Sequence, residues 1–309
     1  MRESLRYVLA ALATGLVAVW GSENLFWTAP PADLDVAGWL LTWIAYALCC
    51  AAVLSAVRWS GLGGVRALLL GGAVLGFLVE GVLVGTMYEA FPLQVVWTPL
   101  AWHALVTGVA VFGISRAGPR WSVGRQLAAL AGLGLAAGTF GLWWPAERDD
   151  LPGAWVLLGY LAGVGLVVPA AQVVLERLGP PGRRGTVPSP PRAVGLVAPV
   201  LLTLFWVAQT VAAPSPVRLV LPVVLGLTLL AMRRLGEPGP VRLGGPAPLA
   251  RHALFVVAPL VAAVVPAIGW PATGGVGTNV VVALVTGTVA TAWWLRLVVP
   301  PRPRRAAAA

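Results

Sequence analysis

No lysine occurs anywhere in this chain; all 21 basic residues are arginine. Without a side-chain amine, Schiff-base chemistry and a covalently held retinal are excluded. Cysteine is almost as scarce, and its two copies, Cys49 and Cys50, are adjacent. Neighbouring side chains on a helix point about 100° apart, so a disulfide between them is disfavoured and both read as small apolar fillers. Charge is rare too: Asp, Glu, Lys and Arg make up 10% of the residues, against about a quarter in soluble domains. There is no Cys/His spacing for zinc, no P-loop, no GxGxxG after a strand and no GxSxG. Neither a metal nor a cofactor is expected.

Apolar residues are what the chain has in excess. They form 59% of it, and the mean hydropathy is +0.86. Windows of about 20 apolar residues match a hydrocarbon core of roughly 30 Å. They fall near 5–27, 37–57, 66–88, 94–115, 124–144, 153–175, 193–212, 217–233, 250–269 and 279–298. The expected fold is therefore all-α, a polytopic transmembrane helical bundle of about ten spans. Pro169, Pro199, Pro222 and Pro259 fall inside spans, where neighbouring groups can satisfy the freed carbonyls.

The arginines set the expected orientation. With the N-terminus inside, every arginine except Arg148 and Arg218 lies on a cytoplasmic segment, while Asp33, Asp35, Glu89, Glu147, Asp149 and Asp150 lie on external ones. The positive-inside rule then puts both the N- and C-termini in the cytoplasm. It also accounts for the net charge of +10 without nucleic acid as a partner. The expected setting is a cell membrane, as a multi-pass protein of a bacterial inner membrane, with membrane lipids as neighbours. The MRESLR start resembles a signal peptide, but Glu23 and Asn24 stand where a cleavage site belongs, so the first span reads as retained.

The whole of 1–309 reads as one membrane domain. Its possible halves are 1–150, which holds the polar site, and 151–309, joined by a Pro-, Gly- and Arg-rich cytoplasmic linker over 178–192. A similar connector covers 233–251. Five spans per half would insert in opposite senses, as in inverted-repeat transporters, yet the two halves show no sequence self-similarity. Glycines four apart (Gly72 and Gly76, Gly81 and Gly85, Gly134 and Gly138, Gly159 and Gly163) point to close helix packing. Gly81 and Gly85 could also make room for a ligand beside Glu80.

Ionisable residues at membrane depth are functional candidates because each costs roughly 2.5–3.5 kcal/mol on insertion scales. At 1.5 Å per residue, Glu80 lies about 12 Å below the outer surface, His103 about 15 Å and Glu23 about 6 Å. The third and fourth spans join through a short turn, so Glu80 and His103 are expected to face each other and share a proton near neutral pH. Trp20 and Trp27 bracket Glu23 at helical spacing and would supply aromatic walls. Trp97 and Trp102 extend that wall, and Gln94, Thr98 and Thr107 add hydrogen-bonding capacity. Such a lining suits a sugar ring, a cationic headgroup or an isoprenoid. His252, beside Arg251 at a helix start, is expected on the surface.

The segment LVAVWGSEN resembles the Trp-Gly-Ser opening of the first helix in the drug/metabolite transporter superfamily. Thr98, Pro99 and Leu100 resemble the proline segment of that family's fourth helix. The resemblance implies a ten-span small-molecule transporter. Glu23, Glu80 and His103 at membrane depth are not part of that pattern. Glu80 followed by Pro99–Trp102 (PLAW) is also similar to membrane carotenoid-modifying enzymes, and Asp33 with Asp35 to membrane glycosyltransferases that use lipid-linked sugars.

The leading expectation is a membrane-embedded enzyme acting on a lipid or lipid-linked substrate at the outer leaflet. Glu80 and His103 are its catalytic acid–base pair. Glu23, Asn24, Trp20, Trp27, Tyr88, Gln94 and Trp97 bind the substrate. The ground for it is asymmetry, since the deep ionisable groups all lie in spans one, three and four, whereas a transporter site draws on both halves. The alternative is a proton-coupled transporter of a small molecule with Glu80 as the proton carrier. A third reading is a structural membrane subunit whose polar pair only locks two helices.

Overall fold

The computed structural model describes residues 2–25, 35–178, 184–243 and 245–299. Ten helical segments are long and apolar enough to cross a membrane: Glu3–Asn24, Val36–Ser60, Gly64–Val84, Leu93–Arg120, Val123–Ala146, Ala154–Arg177, Arg192–Ala212, Pro216–Leu235, Leu249–Thr273 and Thr278–Val298. They are numbered spans 1 to 10. The chain is an all-helical, multi-pass membrane protein. Its surface is as apolar as lipid requires: span 7, for example, buries only Ala198 and Leu202.

Local chemistry explains where the spans start and stop. Asp35 caps span 2 by accepting a hydrogen bond from the Gly38 amide, and Gly61 closes it in the left-handed region at φ 74°, where only glycine is unstrained. Span 3 stops earlier than its hydropathy suggests, because Gly85 turns left-handed at φ 90° and Thr86–Tyr88 form a separate short turn. Span 6 breaks at Leu166 between Ala154–Gly165 and Val167–Arg177. Pro169 lacks the N–H that would bond Gly165, four residues back, so the ladder is interrupted there. Pro222 causes no break, since it lies in the first turn of the helix Val220–Leu235, where its missing N–H has no partner to lose.

Spans 3 and 4 are antiparallel neighbours packed along their length. A Cβ on Gly76 would sit 2.5 Å from the Pro99 carbonyl oxygen, and one on Gly72 2.8 Å from the Ala104 Cα. Both glycines are therefore required for the helix backbones to meet. Gly134 and Gly138 do the same for span 5 against Ala258 and Val265 of span 9. Gly159 and Gly163 face open space, so their spacing carries no packing role.

Spans 1 to 5 interleave with spans 6 to 10. Span 1 packs on span 6, span 2 on span 7, span 3 on span 8 and span 5 on span 10. Span 4 meets span 9 through its last turn, Gly118–Arg120. Pairings between non-equivalent spans also come in matched sets: 4 on 10 answers 9 on 5, 1 on 4 answers 6 on 9, and 2 on 8 answers 7 on 3. The hairpin contacts 1–2, 2–3 and 3–4 have no comparably close counterparts in the second half. The two Pro- and Gly-rich connectors pair with each other: the Val187 amide donates to the Val241 carbonyl at 2.8 Å, and Leu243 to Gly185 at 2.5 Å.

Candidate functional site

Three stretches of wide, π-type helix lie among the described residues: Trp20–Asn24 in span 1, Val79–Val84 in span 3 and Val96–Phe112 in span 4. All three converge on Glu80 and His103. Pro99, inside the third stretch, removes one amide from the normal ladder, and a widened helix restores bonding by reaching one residue further. Widening also re-aims side chains. That is why Trp20 and Glu23, expected on one face, point different ways.

Glu80 Oε1 lies 2.8 Å from His103 Nε2. The other carboxylate oxygen, Oε2, accepts from the Thr86 hydroxyl. On the far side of the imidazole, Nδ1 is 3.0 Å from Ser22 Oγ, which is 2.9 Å from Thr107 Oγ1. With Glu80 ionised and the imidazole neutral, one arrangement satisfies every atom. Thr107 donates to Ser22, Ser22 donates to His103 Nδ1, and His103 donates from Nε2 to Glu80. His103, Ser22 and Thr107 are fully buried, while Glu80 is 8% exposed. The carboxylate is thus the end of the chain that reaches open space.

That space is a cavity of about 680 Å³, within the range of small-molecule sites. Glu80, His103, Ser22 and Glu23 line its polar side, and Trp97, Trp102, Phe140, Trp143 and Trp144 its aromatic side. The rings form a continuous run: Trp97 to Trp102 at 5.5 Å, Trp102 to Phe140 at 5.0 Å, Phe140 to Trp143 at 6.1 Å and Trp143 to Trp144 at 4.3 Å. The opposite wall is span 10, with Asn279, Ala283, Gly287 and Thr288. Val84, Leu93, Val280 and Leu284 are exposed lining residues. They lie towards the face that carries Glu89, Glu147 and Asp149. Among the described residues no arginine lines the cavity.

The remaining candidates divide. Glu23 lines the cavity and accepts from the Tyr46 hydroxyl. Trp97 and Trp102 also line it, and the Trp102 indole donates to the Ser22 carbonyl at 2.7 Å. Trp20 does not: it is fully buried against Phe255 of span 9, ring centroids 4.9 Å apart. Asn24 is also outside the cavity and bonds Tyr160 of span 6 at 2.7 Å. Tyr88 donates to the Gly81 carbonyl at 2.7 Å and accepts from the Trp206 indole at 3.1 Å, away from the cavity. Gln94 is not among the lining residues. Trp27 and Asp33 lie outside the described residues. Gly81 makes no room for a ligand, since its open side is filled by the Met87 sulfur and Leu221.

Sequence reasoning missed Ser22, Thr86, Thr107 as His103's distant support, and the whole wall from spans 5 and 10. Ser22 was legible only as the neighbour of Glu23, because a membrane hydroxyl usually bonds its own helix. It also missed a second Glu–His pair. His252 is buried rather than on the surface, at 2% exposure. Its Nε2 lies 3.1 Å from Glu176 Oε2 at the arginine-rich ends of spans 9 and 6. The Ala247 amide donates to the same oxygen at 3.1 Å, and Arg120 stands 3.9 Å from Oε1. Both residues sit at span ends, Glu176 one residue before the end of span 6 and His252 in the first turn of span 9, so this pair is buried without lying at membrane depth. Among the described residues no three His, Cys, Asp or Glu side chains converge as metal ligands. No protein-family model, no curated protein and no solved structure matches this chain.

Proposed function

We propose that the protein is a proton-coupled transporter of an organic cation, with Glu80 as the group that exchanges substrate for proton. The observation that carries this reading is the position of the cavity. It is bounded by spans 1, 3, 4 and 5 of one half and span 10 of the other, within a bundle whose halves pair span for span. That is where inverted-repeat transporters place their sites. The lining supports the charge of the substrate: two carboxylates, Glu23 and Glu80, no arginine, and a run of aromatic faces that attract cations. An ionised Glu80 holds the cation; a proton arriving on the carboxylate cancels the attraction and releases it. His103, supported by Ser22 and Thr107, keeps the carboxylate aimed at the cavity.

In proteoliposomes, Glu80→Gln, which mimics the protonated acid, should abolish proton-driven uptake and cation counterflow alike, while Glu80→Asp should keep part of both. Retention of either activity by folded Glu80→Gln protein overturns the proposal.

An enzymatic second reading has one observation of its own. Ser22, His103 and Glu80 form a hydroxyl–imidazole–carboxylate chain, the constellation of nucleophilic catalysis. Burial favours transport over it, because Ser22, although at the cavity wall, is fully buried, whereas Glu80 keeps 8% of its surface exposed. Turnover of a lipid in detergent, abolished by Ser22→Ala, Glu80→Ala and His103→Ala alike, would establish the enzyme instead, since no gradient exists there.

A further inference from the structure

A second large groove lies on the opposite side of the bundle, at the arginine-rich face, and the cavity above does not involve it. It encloses about 690 Å³ between spans 2, 3, 7 and 8. Spans 7 and 8 both pack on span 2 and barely touch each other, which leaves the slot open between them.

The groove changes character along its length. At its mouth stand Arg58, Trp59, Arg192, Tyr7 and Ser55; deeper in, the lining turns to Val74, Leu78, Leu196, Leu225 and Leu229. Among the described residues no acidic side chain lines it. Arg58 uses one donor on the Pro190 carbonyl at 3.0 Å, which leaves most of its five N–H groups free for a ligand. Arg192 is exposed, with its side chain beside the groove. Tyr7 donates to the Ala51 carbonyl and Ser55 to the Gly195 carbonyl at 2.8 Å, so both hydroxyl protons are already engaged and the free donors at the mouth are those of the arginines. Depth matches a lipid tail. Leu78 lies about 21 Å along span 3 from Gly64, and Thr203 about 16 Å along span 7 from Arg192, against a single-leaflet hydrocarbon thickness of about 15 Å.

We infer that this groove is a binding site for one anionic phospholipid, its phosphate between Arg58 and Arg192 and an acyl chain in the apolar slot. A paired cationic mouth over a leucine-lined slot is complementary to that molecule at both ends. The positive-inside rule puts this face in the cytoplasm, where the leaflet is rich in anionic lipid. A zwitterionic lipid would fill the slot but bring its own cation to the arginines. A free phosphate would reach the arginines but leave the slot empty.

The test is lipid retention by the full chain, delipidated in detergent and read by native mass spectrometry. The probes are dioleoyl-phosphatidylglycerol, dioleoyl-phosphatidylcholine and soluble glycerol phosphate. One phosphatidylglycerol per chain should be retained, about thirtyfold in preference to phosphatidylcholine, as two arginines near a membrane surface provide. Glycerol phosphate should not displace it. R58Q/R192Q should remove the preference, and Thr203→Phe, which narrows the slot from an exposed position, should weaken retention of both lipids. Monodisperse elution and an unchanged melting temperature identify variants that still fold. Equal retention of the two lipids by the wild type, an unaltered preference in folded R58Q/R192Q, or displacement by glycerol phosphate would each overturn the site.

Discussion

Two buried Glu–His pairs stand at opposite ends of this bundle, and they have almost nothing in common beyond the residues. Glu80 and His103 are 2.8 Å apart, Glu176 and His252 3.1 Å. The first pair is surrounded by hydroxyls and opens onto about 680 Å³ of aromatic-walled space. The second is enclosed by the Ala247 amide, the Arg120 guanidinium and a void of about 10 Å³. A carboxylate compensated by a cation and a backbone amide is held in one state. One compensated only by neutral groups and an imidazole can change state when something enters beside it. On the function proposed above, the pair at the acidic face exchanges partners and the pair at the arginine-rich face only holds helix ends together. The contrast between them is one of surroundings.

The sharpest way to break that contrast is to exchange the damage. Glu80→Gln is expected to lower proton-driven transport by at least about a hundredfold, while its melting temperature moves little, because glutamine still reaches His103 and Thr86. Glu176→Ala should do the reverse. Removing the carboxylate leaves the buried His252 Nε2 and the Ala247 amide without their shared acceptor, at a cost of about 1–3 kcal/mol, read as a fall in thermal midpoint with cation affinity unaltered. If folded Glu176→Gln protein instead loses transport and keeps its stability, the inner pair works in the cycle too, and the comparison fails.

Tryptophan offers the next contrast. Trp20→Ala should destabilise the bundle by about 3 kcal/mol and leave ligand affinity alone, since the ring is packed on Phe255. Trp97→Ala should cost little stability and weaken binding of an aromatic cation by about tenfold. Equilibrium binding and thermal unfolding of the same two variants decide this.

Smaller effects separate the glycines. Gly76→Ala should cost about 1–3 kcal/mol, because its Cβ would meet the Pro99 backbone at 2.5 Å and displace the helix that carries His103. Gly159→Ala, facing open space, should be neutral. The smallest effect belongs to the surface pair. Arg148 hydrogen-bonds Asp150 and holds its carboxyl below the usual range. A depressed acid contributes stability above its unfolded pKa and loses it as pH falls through the folded one. Asp150 is fully exposed, however, so Asp150→Asn should leave the melting temperature unmoved at every pH.

Legibility of the site followed the range of the forces involved. Glu80 and His103 were readable because a titratable group in hydrocarbon stands out in a linear sequence, and a short turn between two spans brings them to one depth. Tyr88 and Gln94 were misplaced because depth alone does not say which way a helix face turns. Glu176 and His252 were not paired because each sits at a helix end, where solvent is the ordinary neighbour; only the folding-back of residues 245–252 over span 6 encloses them.

The ten spans and their chemistry-bearing residues follow from the sequence by itself, because twenty apolar residues in a row have one stable place and insertion depends on local composition. Which residues meet is another matter. The widened helical turns, the rotation that turns Trp20 to the core and Glu23 to the cavity, and the wall that span 10 adds to spans 1, 3, 4 and 5 arise only when the helices pack. In lipid that packing is decided by side-chain shape and hydrogen bonding between distant segments, which no local pattern encodes.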